Sequence, residues 1–206
     1  SVNAQTIIKN QSFEGSSASG WAYTANPASF KAGSDIWDTL TTLNNVNSMP
    51  TDGSYFWGVR DLANSNGGTA TGVFGSLNFD TVHISGLTNV SIQFDYDIFE
   101  YDAGDDVEYE VFENGISQGR VAWFDGSSNK SQSGTETISV TAGVDSVRFI
   151  LYLKQNGGTD YAGFDNFRVV QNATTPAPAA IPNYTIGQIS EDDANGEPDS
   201  AGVEVE

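Results

Sequence analysis

The chain has 206 residues, and eight Lys and Arg stand against 27 Asp and Glu, a formal charge of −19. A surface of that sign repels phosphate backbones and anionic membranes, which excludes nucleic acid as a direct partner and favours a hard cation such as calcium. Cysteine is absent and histidine occurs once, so zinc sites, thiol nucleophiles and disulfide frameworks drop out, and no apolar run approaches the ~20 residues that span a bilayer.

Taken in chain order, Ser1-Val2-Asn3-Ala4-Gln5 has the small-residue character of a bacterial signal-peptide end, with cleavage near Ala4. Together with 22 Gly and few Lys, this makes a secreted or cell-surface location the expectation. Short runs of alternating apolar and polar residues then predict strands. They fall at Ile7–Phe13, Trp21–Thr24, Ser54–Arg60, Leu77–Ser85 and Ile92–Ile98. Further runs are Val107–Val111, Gly119–Phe124, Thr135–Thr141, Val147–Leu153 and Phe164–Val170. Turn signals at Glu113-Asn114-Gly115, Asp125-Gly126 and Asn156-Gly157-Gly158 separate several of them. Ten strands without a helical period predict an all-β fold, a two-sheet antiparallel β-sandwich of jelly-roll type over residues 5–170.

The alternation stops at Val170. Residues 171–182 read as a Pro/Ala/Thr linker, and 183–206 as an acidic segment, either the start of a further domain or a disordered tail. Its end, Gly202-Val203-Glu204-Val205-Glu206, alternates like a strand and would suit addition to a neighbour's sheet edge, a route to self-assembly as a filament or adhesin stalk. No internal repeat is visible.

Three features carry candidate chemistry. Glu100-Tyr101-Asp102-Ala103-Gly104-Asp105-Asp106 reads as an acidic hairpin tip between two strong strands. Crowded carboxylates repel one another unless a cation or solvent screens them, so Asp102, Asp105 and Asp106 are candidate calcium ligands, against a plain solvated turn. Asp61-x-x-Asn64-x-Asn66 and Asp193-x-Asn195-Gly196-x-x-Asp199 offer weaker calcium-type spacing. Asp165 shares the inward parity of Phe167 and Val169, so a metal or one of Arg60, Arg148 and Arg168 must compensate it. Asp95 and Asp97 would face the same side as Glu108 and Glu110 if 99–107 were a hairpin. Such pairs can serve a glycosidase, but the ladder reads as a solvated outer face and no catalytic residue is assigned. His83 reads as a solvent-facing strand residue. Among the rings, Trp37, Trp57 and Trp123 sit beside loops and are the candidates for stacking on sugar, against burial of each ring in the sandwich core.

Asn10-Gln11-Ser12-Phe13-Glu14-Gly15 with Trp21 at the start, and Gly163-Phe164-Asp165-Asn166-Phe167-Arg168-Val169 at the end, resemble the jelly-roll superfamily of bacterial carbohydrate-binding modules and MAM-like domains. Gly53–Leu62 and Ile84–Asp95 resemble accessory domains of large secreted bacterial proteins. The resemblance implies neighbouring first and last strands, with Glu14 and Asp165 sharing a structural calcium. It also implies a non-catalytic, carbohydrate-binding or adhesive role.

Overall fold

The computed structural model describes residues 5–127 and 129–173. Thirteen strands are present there: β1 (Thr6–Gln11), β2 (Tyr23–Asn26), β3 (Phe30–Ala32), β4 (Asp35–Leu40), β5 (Phe56–Arg60), β6 (Gly75–Phe79) and β7 (Val82–His83). The remainder are β8 (Val90–Tyr101), β9 (Asp106–Glu113), β10 (Ile116–Asp125), β11 (Lys130–Ser139), β12 (Ser146–Lys154) and β13 (Tyr161–Gln171). They build two antiparallel sheets. The seven-stranded sheet runs β11-β8-β13-β5-β4-β3, with β1 also on β13; the six-stranded sheet runs β10-β9-β12-β6-β2, with β7 on β12. The predicted all-β sandwich is present, and its first and last strands are paired neighbours.

Alternation made the core. Ile92, Phe94, Tyr96 and Ile98 face Val147, Phe149, Leu151 and Leu153 across the sandwich, all at most 5 % exposed. Phe167 lies at the centre, stacked on Phe94 (5.3 Å, 20°) and tilted on Phe79 (4.7 Å). Asn114-Gly115 forms the expected two-residue hairpin between β9 and β10, with φ of 50° and 79°, the backbone that Asn-Gly favours.

The short β3, β4 and the acidic tip depart from the prediction. β4 was not predicted, because Asp35-Ile36-Trp37-Asp38-Thr39-Leu40 does not alternate. Both of its faces are covered: Trp37 enters the main core, while Ile36 and Leu40 join a second cluster with Val46, Met49, Phe56 and Tyr161. The 41–55 segment brings Val46 and Met49 down onto the outer face of the seven-stranded sheet. Gly58 and Gly163, paired across β5 and β13, make that approach feasible: a Cβ on either would run into Leu40, or into Val46 and Met49.

The third departure is the acidic tip. β8 and β9 do not pair; they belong to different sheets, so 102–105 is a crossover from one sheet to the other, not a hairpin. β13 also extends through Gln171, one residue into the stretch read as linker. Residues 174–182 of the linker, the acidic segment and its self-assembly strand lie outside the described residues, as does the Asp193–Asp199 spacing.

Candidate functional site

Three crossovers meet at one end of the sandwich: 102–105 between β8 and β9, 126–129 between β10 and β11, and 155–160 between β12 and β13. Backbone hydrogen bonds lock them together. The Gly126 N–H donates to Asp105 O (3.0 Å), and the Asn156 N–H donates to Asp105 Oδ1 (2.8 Å). Asp105 N–H returns to Asp102 O (2.9 Å), and Asp102 N–H donates to Asp105 Oδ2 (3.1 Å).

This arrangement gathers Asp102, Asp105 and Asp160, with one carboxylate oxygen from each lying within 4.8 Å of the others. Among the described residues this is the group of acidic side chains close enough to share an ion. Asp102 is exposed, whereas Asp105 and Asp160 are 0 % and 3 % exposed. Burial pushes both buried carboxyls up, and the Asp102 charge adds to it; the Asp105 charge raises Asp160 further, to about 7, while the Asn156 and Asp102 N–H groups hold Asp105 back. Two wholly buried polar atoms at this end lack a partner. The Tyr101 hydroxyl lies in the field of Asp105 and Asp160, and Gln155 keeps Oε1 unpaired while its Nε2 donates to Asp160 O (2.6 Å). Gly157 packs so tightly on Asp160 that a Cβ there would overlap Oδ2. Crowded carboxylates, an amide oxygen and a hydroxyl form a hard-oxygen donor set, the chemistry calcium selects.

Sequence reasoning named Asp102 and Asp105, missed Asp160 and Gln155, and misplaced Asp106. Asp106 begins β9 with its side chain on the outer face of the six-stranded sheet, where Lys154 neutralises it at 2.6 Å. The expected Glu14–Asp165 pair takes another form. Glu14 Oε1 accepts the Ser54 and Tyr55 N–H groups (2.5 and 2.7 Å). Asp165 Oδ2 accepts those of Thr51 and Asp52 (2.8 and 2.9 Å), and Oδ1 that of Asn166 (2.6 Å). The two carboxylates thus grip one segment, 51–55, from opposite ends. Asp165 is compensated by backbone donors, not by an arginine. In the Asp61 loop, Asn64 Oδ1 caps the Asn66 and Gly68 N–H groups, so that spacing serves the turn itself.

The carboxylate ladder is also split. Asp95 and Asp97 lie on the seven-stranded sheet beneath the 41–55 segment, where Thr51 Oγ1 donates to Asp95 and Ser48 N–H to Asp97. Glu108 and Glu110 lie on the six-stranded sheet, bound to Arg120 and to the Tyr152 hydroxyl (2.9 Å). The two pairs cannot flank one sugar. His83 is exposed in β7, as expected.

Of the rings, Trp37 and Trp57 are core residues, at 0 % and 1 % exposure, which corrects their expected place on the surface. Their strands are covered on both faces, so neither parity leads to solvent. Trp123 is half-buried and keeps a surface. Tyr152 and Phe112, on the open outer face, are capped by Arg120 and Arg148 at 3.7 Å from the ring centroids.

Burial holds the Asp165 carboxyl up at about 6 despite its donors. A carboxyl protonated more readily in the fold than in the unfolded chain stabilises below its unfolded value, and that stability is lost as pH rises through about 6. In chelator, melting temperature should therefore fall between pH 5 and pH 8, with a shallower fall in Asp165→Asn. Equal slopes in the two proteins would contradict this assignment.

No family model and no curated protein matches the sequence. Solved structures do resemble this chain. The CBM22-1 xylan-binding domain of Paenibacillus barcinonensis Xyn10C shares 13 % identity over 85 % of this chain and 99 % of that one, with a TM-score of 0.41. A carbohydrate-binding module of Cellvibrio mixtus lichenase 5A, solved with cellotriose, shares 14 % over 82 % and 100 %, at 0.38. The enzymatically active domain of bacteriophage CBA120 tailspike protein 4 shares 10 % over 79 % and 21 %, at 0.45. All three identities lie below 15 % and all three TM-scores below 0.5.

Proposed function

We propose that this chain is a non-catalytic, secreted module that binds carbohydrate and is braced by a calcium ion among Asp102, Asp105 and Asp160. The observation that carries the reading is the site at the joined crossovers: three crowded carboxylates beside a buried amide oxygen and a buried hydroxyl that no protein group satisfies. A calcium ion takes six to eight such oxygens, and extracellular modules bind it at the millimolar concentrations found outside cells. Asp102, Asp105, Asp160 and Gln155 would hold it, with Tyr101 alongside.

Bracing has a consequence for binding. Trp123 lies three residues before Gly126, whose N–H is held by Asp105 O, so an ion on Asp105 fixes the end of β10 that presents the ring. A flat ring with polar neighbours is the common means of holding a sugar face. The separation of Asp95 and Asp97 from Glu108 and Glu110 favours a binding role over hydrolysis, because acid–base cleavage needs two carboxyls flanking one bond.

A glycan array probed in millimolar calcium, with a chelator-treated copy alongside, tests the reading. Binding to a defined glycan class, weakened by the chelator, is the expected result. Absence of binding to any glycan in calcium would overturn the carbohydrate assignment.

A further inference from the structure

The two sheets close against each other except along one side. There β10 pairs only with β9, and β11 only with β8, among the described residues. The edge strands part and leave an open seam, which contains a hollow of about 220 Å³ lined by residues of β9, β10 and β11. Tyr109, Val111, Val121 and Ile138 supply its apolar lining.

A β-bulge supplies its ring. The register of β10 slips between Ala122 and Phe124, so two consecutive residues turn inward. Phe124 fills the core, and Trp123, two residues beyond the Val121 that lines the hollow, packs edge-on against Tyr96 (4.7 Å) and Phe94 (5.2 Å). Facing it on β11, Gln132, Glu136 and Ile138 sit opposite Ile98, Phe94 and Ile92, the inward-pointing parity of β8. Gln132 Nε2 donates to the Tyr96 hydroxyl (2.7 Å), and Glu113 Oε1 accepts the Thr141 N–H (2.8 Å).

The charge in the seam has one sign. Glu113 and Tyr109 line the hollow, and Glu136, two residues before Ile138 on β11, sets its charge against the phenols of Tyr109 and Tyr96. Arg120 points to the opposite face of its sheet, held by Glu108, and Lys130 lies at the far end against Phe124. An acidic sugar placed here would meet two carboxylates on a chain of net charge −19, and the single Lys130 ammonium, on Phe124 beside Trp123, offsets at most one of them.

From this we infer that the ligand lies lengthwise in the seam between β10 and β11, with Trp123 stacking on a ring, and that it is an uncharged glycan. The inference rests on the carbohydrate reading above and adds the location and the charge class. A hollow below the ~300–1,000 Å³ of a drug-sized pocket suits one sugar unit or the edge of a chain.

The test measures affinity for neutral polysaccharides (glucan, xylan, galactan, mannan) and acidic ones (polygalacturonate, alginate) in calcium. Wild type should bind a neutral member and neither acidic one. Trp123→Ala and Val121→Arg, the latter at a 42 % exposed position, should each weaken that affinity about tenfold or more. Arg148→Ala, on the outer face, should leave it unchanged, and Glu136→Lys should admit acidic chains. Neutral binding that survives undiminished in folded Val121→Arg and Trp123→Ala overturns the seam but leaves the carbohydrate reading standing. Binding confined to acidic chains overturns the charge class. No binding at all overturns the reading beneath both.

Discussion

Calcium should raise the melting temperature of the metal-stripped protein by about 5–10 °C at a hundredfold excess over its dissociation constant. The figure follows from mass action, about 2.7 kcal/mol at that excess, and from roughly 2–4 °C per kcal/mol in a domain of this size. The effect should vanish in Asp105→Asn and Asp160→Asn and persist in Asp106→Asn, whose carboxylate belongs to Lys154 and the outer sheet face. The substitutions should also act in the opposite sense without metal. Removing one of the repelling, desolvated charges relieves the crowding that holds Asp160 at about 7, so Asp160→Asn should melt higher than wild type in chelator and lower in calcium. Gly157→Ala gives an uncharged check, since its methyl displaces the Asp160 carboxylate and should abolish the calcium response. Differential scanning calorimetry with and without chelator reads all of these. Equal calcium shifts in wild type and Asp160→Asn would remove the ion from this cluster.

Trp37→Ala and Trp57→Ala should each cost about 3–5 kcal/mol, a large share of the 5–15 kcal/mol that a domain commonly has. Trp37 stands edge-on to Trp57 (5.0 Å, 84°) and donates its indole N–H to Pro27 O (2.8 Å), so removal opens a large void and strands a carbonyl. Trp57 packs on Phe13, Tyr23 and Trp37. Trp123→Ala should cost less, since that residue is only partly buried, yet it should be the substitution that removes ligand. Urea midpoints beside glycan affinities separate the three. A Trp37→Ala protein of undiminished stability that no longer binds glycan would return Trp37 to the surface.

The sheets were legible because most strands have one wet and one dry face. The same rule concealed β4 and misled at β8. Gln93, Asp95 and Asp97 have the polar parity of a solvated face, but they are 5–8 % exposed beneath the 41–55 segment, with their polar atoms satisfied by Arg168, Thr51 and Ser48. A strand buried on both faces shows no reliable period. The identity of the acidic tip was open for a related reason. Two alternating strands joined by an Asp/Gly-rich link read alike whether they pair or pass to opposite sheets, and here they pass. That crossover brings Asp105 against Asn156 and Asp160, far along the chain in a stretch that reads as a turn. Half of the candidate site was therefore visible locally, and the other half only in three dimensions. Trp123 retained its surface because a bulge, which no local pattern announced, turned it into the seam.

The central claim is that one cation closes the end of the sandwich where three crossovers meet, and calorimetric titration of the metal-stripped protein with calcium addresses it most directly. The expected result is a single site per chain, absent in Asp160→Asn and in Gly157→Ala and intact in Asp106→Asn. No binding heat in wild type, or the same isotherm in all four proteins, would contradict it.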